Sequence, residues 1–184
     1  MDLLNEDKIF IVNKEIKRAE QTSNIQIIPV IIKNSSRPVE FLKVLSLLSL
    51  GLSAYYSNVF FMLIAIGCFV MFKRLSSFLT KNRATLEFYL NKLDSTSGKN
   101  GVLLFISLKE HKVFVLCDSH IARFVENSAW ENNVVQKMRK HLKDKNLCEA
   151  TIEGLRGISQ VVSENVPIEK TGINDREDKV IQKE

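Results

Sequence analysis

The chain is poor in residues that punctuate or staple a fold: three prolines, seven glycines, three cysteines and one tryptophan in 184 residues. Its few glycines form no glycine-rich loop, which argues against a phosphate-cradling nucleotide site. Cys68, Cys117 and Cys148 are too few and too scattered for a disulfide framework. No Cys/His pair has the spacing of a zinc site. Aromatics are not interleaved with the basic residues, and there is no helix-turn-helix or finger pattern, so nucleic acid is not the expected partner. Residues 1–10 lack the charged and apolar regions of a signal peptide. With so little cysteine, the soluble part is expected on a reducing, cytoplasmic side.

What is present is unevenly spread. Val44 to Phe72 is 29 residues without a charge. Net charge is +5, and residues 73–150 supply it, with fourteen basic against eight acidic groups. A basic bias beside an apolar segment is read most simply as attraction to anionic lipid.

Residues 5–20 have helical patterning, with Asn5 as N-cap, Glu6 and Asp7 in the first turn and Ile9, Val12 and Ile16 on one side. Residues 25–32, dense in β-branched side chains, predict a buried strand, which Pro29 pushes toward an edge or a bulge. After the apolar block, 75–93 reads as a helix. Residues 102–108 and 113–117 read as a β-hairpin turning at 109–112, and 127–143 and 147–164 as two further helices. The last residues read as a polar tail. The expected class is α/β (α+β): an αβα sandwich with a small mixed sheet, interrupted by an apolar transmembrane or re-entrant helical hairpin. Its units are one discontinuous domain (1–40 and 74–168), the hairpin (41–73) and the tail (169–184).

The hairpin follows from topology. One crossing would put strand 25–32 on the opposite side of the membrane from the sheet it completes, stranding backbone hydrogen-bonding groups. Tyr55-Tyr56-Ser57-Asn58 offers a midpoint turn, giving two arms of about 14 residues and about 21 Å each, short of a hydrocarbon core of about 30 Å. Val44, Leu48, Tyr55, Tyr56, Phe60, Leu63, Phe69 and Phe72 would anchor it. Lys33, Arg37 and Lys43 before the block, and Lys73, Arg74, Lys81 and Arg83 after it, favour the cytoplasmic side at both ends.

Several modest motifs, in order, resemble the TPM domain family. Ala19-Glu20-Gln21-Thr22-Ser23 before Ile27-Ile28-Pro29-Val30 is similar to its helix-to-strand junction. Gly101–Leu108, the 109–112 turn, Val113–Asp118, Ile121 and Trp130 are similar to its central hairpin and following helix. Gly154-Leu155, Val166-Pro167 and Asn174…Asp178-Lys179-Val180-Ile181 resemble a bacterial membrane subgroup with an apolar insert after the first strand. The resemblance implies an αβα sandwich and a role around membrane complexes. It also implies, for some members, phosphatase activity or divalent-metal binding. Asp118 and Glu20 match family acidic positions and are the candidate ligands for Mg²⁺ or Ca²⁺, whereas Gln26 stands where the family has an acid. A firm Ca²⁺ site wants six to eight oxygens, so a solvated Glu20 and a capping Asp118 are the competing reading.

Cys117 beside Asp118, Ser119 and His120 suggests a nucleophile, but adjacent strand residues point to opposite faces, which favours a core thiol. Lys137, Arg139, Lys140 and Lys143, with Lys73 and Arg74, are candidate contacts to lipid or an acidic partner; as a solvated helix face they would have no such role. The leading expectation is a membrane-anchored, non-enzymatic accessory or assembly factor of a membrane complex, with membrane lipid and another membrane protein as partners. A weak metal-dependent phosphatase and an anionic-lipid surface module are the alternatives.

Overall fold

The structure, a computed structural model, describes residues 3–35, 40–56, 59–96, 99–167 and 179–183. Asn5 starts α1 (Glu6–Ser23), its side-chain oxygen accepting the Lys8 N–H at 3.3 Å. Asn24 ends the helix in the left-handed region, φ 52°, and its N–H donates to the Glu20 carbonyl at 2.8 Å. The chain then enters β1 (Gln26–Ile32).

Four strands form one mixed sheet in the order β3-β2-β1-β4. β1 runs parallel to β2 (Gly101–Ser107), Gln26 opposite Gly101 and Ile32 opposite Ser107. β3 (Lys112–Cys117) pairs antiparallel with β2, as the hairpin pattern predicts. β4 (Ile181–Lys183) lies parallel to β1 on its other side. The sandwich expected from the sequence is therefore the fold, with two corrections.

First, β1 is an inner strand despite Pro29. Gln26 donates its N–H to Asn100 on the β2 side, and Lys33 donates to Lys183 on the β4 side. Alternation along the strand turns the Pro29 nitrogen toward β4, which pairs only with Val30–Ile32. The missing N–H therefore costs no ladder bond. Second, the segment read as a polar tail returns to the sheet. Gln182 exchanges two hydrogen bonds with the Leu4 backbone, at 2.7 and 3.1 Å, and the Val180 N–H donates to the Asn13 side chain at 3.0 Å. These partners lie some 170 residues away in sequence, beyond the reach of any local pattern.

Each sheet face has its own core. Ile27, Ile31, Val102, Leu104 and Ile106 point to one side, where they meet α1 and α6 (Leu147–Asn165). The same layer holds α4 (Asn127–Trp130), a π-helical turn (Glu131–Val135) and α5 (Gln136–Lys143). Val30, Ile32, Leu103 and Phe105 point to the other side, against Ala84, Phe88 and Leu93.

Ala84 and Phe88 belong to α3 (Val59–Leu90), which follows α2 (Glu40–Tyr56). α3 is a single helix of 32 residues, about 48 Å long. The separate helix expected to begin near residue 75 is its second half. No proline or glycine falls between Lys73 and Leu90, so nothing interrupts the backbone ladder where membrane-like composition gives way to soluble composition.

Candidate functional site

The sheet has two ends, and the candidate residues divide between them. At the end where β1 and β2 begin, Asp118 follows β3, its N–H donating to the Gly101 carbonyl at 2.9 Å. It is buried; Oδ1 accepts the Ser119 hydroxyl at 2.8 Å and Oδ2 has no hydrogen-bond partner. Glu20 lies elsewhere. Its Oε1 accepts the Ile27 N–H at 2.8 Å, on the side of β1 away from β2. Two strands separate the carboxylates, roughly 10 Å or more at about 4.8 Å per strand, so they do not share a cation. Among the described residues no three His, Cys, Asp or Glu side chains form a metal-binding group. Cys117 has its thiol pushed up to about 11 by burial first and by the Asp118 charge second. A neutral thiol at that pKa is a poor nucleophile.

At the opposite end, α3 passes from sheet to solvent. Thr80 is fully buried there. The Ser35 hydroxyl donates to Thr80 Oγ1 at 3.0 Å and lies 2.9 Å from the Ser107 hydroxyl. Ser107 in turn donates to Glu110, whose carboxylate also accepts the Ser35 N–H at 3.2 Å. This cluster pins the root of α3 to the ends of β1 and β2. Composition shows only scattered hydroxyls; nothing in their spacing signals that residues 35, 80, 107 and 110 meet.

Beyond Thr80 the helix leaves the domain. From Thr80 back to Val59 is 21 residues, a projection of about 32 Å. α2 packs alongside it, the two joined at residues 57–58. Ala65 is buried on the side facing α2. Away from α2, Phe60 (64% exposed), Met62, Leu63, Ile66, Phe69, Val70 and Met71 are exposed, as are Val44, Leu48 and Tyr55 on α2. Phe72 is half-buried; the Tyr56 side chain lies outside the described residues. Lys73 and Arg74 follow as exposed cations, with Lys73 Nζ 4.8 Å above the Phe69 ring. By length and composition α3 is long and apolar enough to cross a membrane from Met62 on; the apolar run of α2, Val44–Tyr55, is shorter.

The basic run on α5 divides. Met138 is buried, and the helical repeat puts Lys137 and Lys140 on one flank of it, Arg139 and Lys143 on the other. Lys137 reaches Gln160 of α6 at 3.4 Å. Arg139 and Lys143 instead border a cavity of about 220 Å³ with His111, Ile106, Leu108 and Leu142, at the hairpin end of the sheet.

A family model described as TPM domain (TPM_phosphatase) matches residues 68–161, half of the chain. Among solved structures the chain is similar to the NMR structure of the BA42 protein from the psychrophilic bacterium Bizionia argentinensis. The TM-score is 0.66 at 16% identity, covering 98% of this chain and 96% of that one. At that identity the likeness carries the fold. No protein of curated function matches.

Proposed function

The chain belongs to the TPM domain family, and from that premise we propose that it is a membrane-held, non-enzymatic accessory or assembly factor of a membrane complex. The observation that carries the reading is the apolar surface of the α2–α3 projection. A helix on a soluble protein keeps charge on its outer face. α1 does so with Glu6, Lys8, Lys14 and Lys17 around the exposed Phe10 and Ile11, whereas residues 59–72 of α3 carry no charge at all and present Phe60, Leu63, Ile66, Phe69 and Met71. Phe60 and Phe69 together expose roughly 200 Å² on the usual aromatic areas. Their aliphatic neighbours carry the patch well past the roughly 300–600 Å² typical of a soluble monomer's largest. A bilayer removes that surface from water.

The charge belt supports a shallow hairpin entering from one side. Val59 to Phe72 is about 20 Å by helical rise, less than a full core of about 30 Å, and Lys73 and Arg74 stop the insertion. Their sign favours the cytoplasmic face. Below the belt, Phe78, Leu86, Tyr89 and Leu90 remain exposed on α3. These apolar side chains, on the same helix as the hairpin and next to the belt, suit contact with a second membrane protein.

The test is an alkaline carbonate wash of membranes. The full chain is compared with a variant in which a short Gly/Ser linker replaces residues 41–73, whose ends lie side by side in the hairpin. The full chain is expected in the pellet and the variant, folded, in the supernatant. Release of the full chain would overturn the anchor. A partner-free preparation in mild detergent would overturn the accessory role.

The unpartnered Oδ2 of buried Asp118 favours one second reading, a divalent cation held there, with phosphate-ester hydrolysis as the activity. One carboxylate falls short of the oxygens a Ca²⁺ cage needs. Millimolar Mg²⁺ or Ca²⁺ raising the melting temperature of the full chain but not of Asp118→Asn would establish the cation. Equal melting curves would remove it.

A further inference from the structure

The cavity beside α5 carries a more specific assignment, which rests on the membrane reading above. Its walls are Ile106, Leu108 and Leu142 with Ser107 between the first two, and its rim is His111, Arg139 and Lys143. Two elements supply that rim. His111 sits in the β2–β3 turn with φ 52°, and the other two lie one helical turn apart on α5. The side chains of His111 and Lys143 have no hydrogen-bond or ion-pair partner among the described residues. Arg139 contacts Glu131 at 2.8 Å, both half exposed, which leaves further guanidinium N–H groups to donate. The neighbouring acid, Glu110, is turned to the opposite sheet face by Ser35 and Ser107.

An apolar floor under a cationic rim fits an amphiphile with an anionic head better than a small hydrated anion. Position narrows the source. The cavity opens on the α5 face at the same end of β2 where α3 leaves the other face, and along α3 the Lys73–Arg74 belt lies seven residues, about 10 Å, above Thr80. That height along the helix is comparable with the Debye length, about 8–10 Å at physiological salt. A hairpin inserted up to the belt brings the rim beside the lipid headgroups. We infer that this cavity is a binding site for an anionic phospholipid of the bilayer carrying the hairpin. Arg139 and Lys143 hold the phosphate, His111 closes the rim, and the glycerol and first acyl segments lie against Ile106, Leu108 and Leu142.

The experiment uses the full chain in nonionic-detergent micelles doped with phosphatidylglycerol or phosphatidylcholine. Retained lipid is counted by native mass spectrometry. Phosphatidylglycerol is expected to be retained about tenfold over phosphatidylcholine. R139Q/K143Q should lose that preference. K137Q/K140Q, which removes the same charge from the opposite flank, should change retention less than about twofold. H111G keeps the left-handed turn and should weaken retention without unfolding. Equal losses in both double variants would reduce the effect to diffuse attraction and overturn the site, as would no loss in either. Inorganic phosphate or glycerophosphate displacing the lipid at equal concentration would make it a small-anion site and overturn the lipid assignment. Carbonate resistance is read separately. Lipid preference without membrane retention would sink the anchor alone, and retention without preference would sink this site alone.

Discussion

Cys117 and Asp118 are neighbours at the end of β3, and burial gives them different chemistry. The thiol is neutral because desolvation and the adjacent carboxylate both oppose a thiolate, holding its pKa near 11. At pH 7.5 its thiolate fraction is about 300-fold below that of an ordinary thiol of pKa about 8.5. Iodoacetamide should therefore modify Cys117 at least that much more slowly in the folded chain than in the unfolded one, accelerating about tenfold per pH unit up to pH 10. Fast labelling at neutral pH would revive the nucleophile. The linkage has a definite sign. A folded pKa above the unfolded value means that this group's contribution to stability is whole below about pH 8.5 and is lost as pH rises through 11. Glu87 is a buried acid with cations beside it. It is fully buried, and its carboxylate meets Lys183 at 2.6 Å and Arg83 at 2.8 Å. Lys183 reaches it from β4, so the pair also fastens the last strand to α3.

At the scale of elements, close approach decides where glycine is needed. Gly157 of α6 faces the π-helical turn, and a Cβ there would stand 2.6 Å from the Asn133 carbonyl oxygen. Backbone cannot yield as a side chain tip does. Gly157→Ala should destabilise by about 1–3 kcal/mol despite the gain of about 1 kcal/mol in helix propensity. Gly51→Ala in α2, with nothing within 4 Å of its Cβ, should be neutral or stabilising. Circular dichroism melts of the two variants in one detergent test the contrast. A Gly157→Ala melt at or above wild type would contradict the packing.

What the sequence made legible follows the same scale. Periodicity and β-branched runs place α1, β1–β3, the helical run from α4 to α5 and α6 to within a few residues, because each signal is local; the π-helical turn inside that run has no such signal. Cys117 is partly buried against the core, on the face that strand alternation gives it. β4 was not legible, because three residues of strand depend on Asn13, Leu4 and Glu87 for their place. The Ser35–Thr80–Ser107–Glu110 cluster and the cavity rim were equally hidden, since residues from separate elements meet only through the sheet register. Asp118 with Glu20 was a plausible pair by family position, but the Ile27 N–H holds Glu20 on the far side of β1.

At the scale of the whole molecule, the sheet has one end that carries Asp118 and an end that faces the hairpin. α3 joins the two as one uninterrupted helix, so whatever positions residues 59–72 also positions the sheet, the charge belt and the cavity rim. On the proposed function, residues 59–72 of this helix lie in lipid with the apolar run of α2. The most direct measurement is a nitroxide scan over residues 44–76 in vesicles, reading collision with oxygen and with a water-soluble nickel chelate at each site. The account predicts oxygen access rising from the Lys73–Arg74 belt toward the hairpin tip on every outward position, with nickel access falling in step. A 3.6-residue alternation, with nickel reaching the outward face along its whole length, would contradict it and make the hairpin a soluble docking arm.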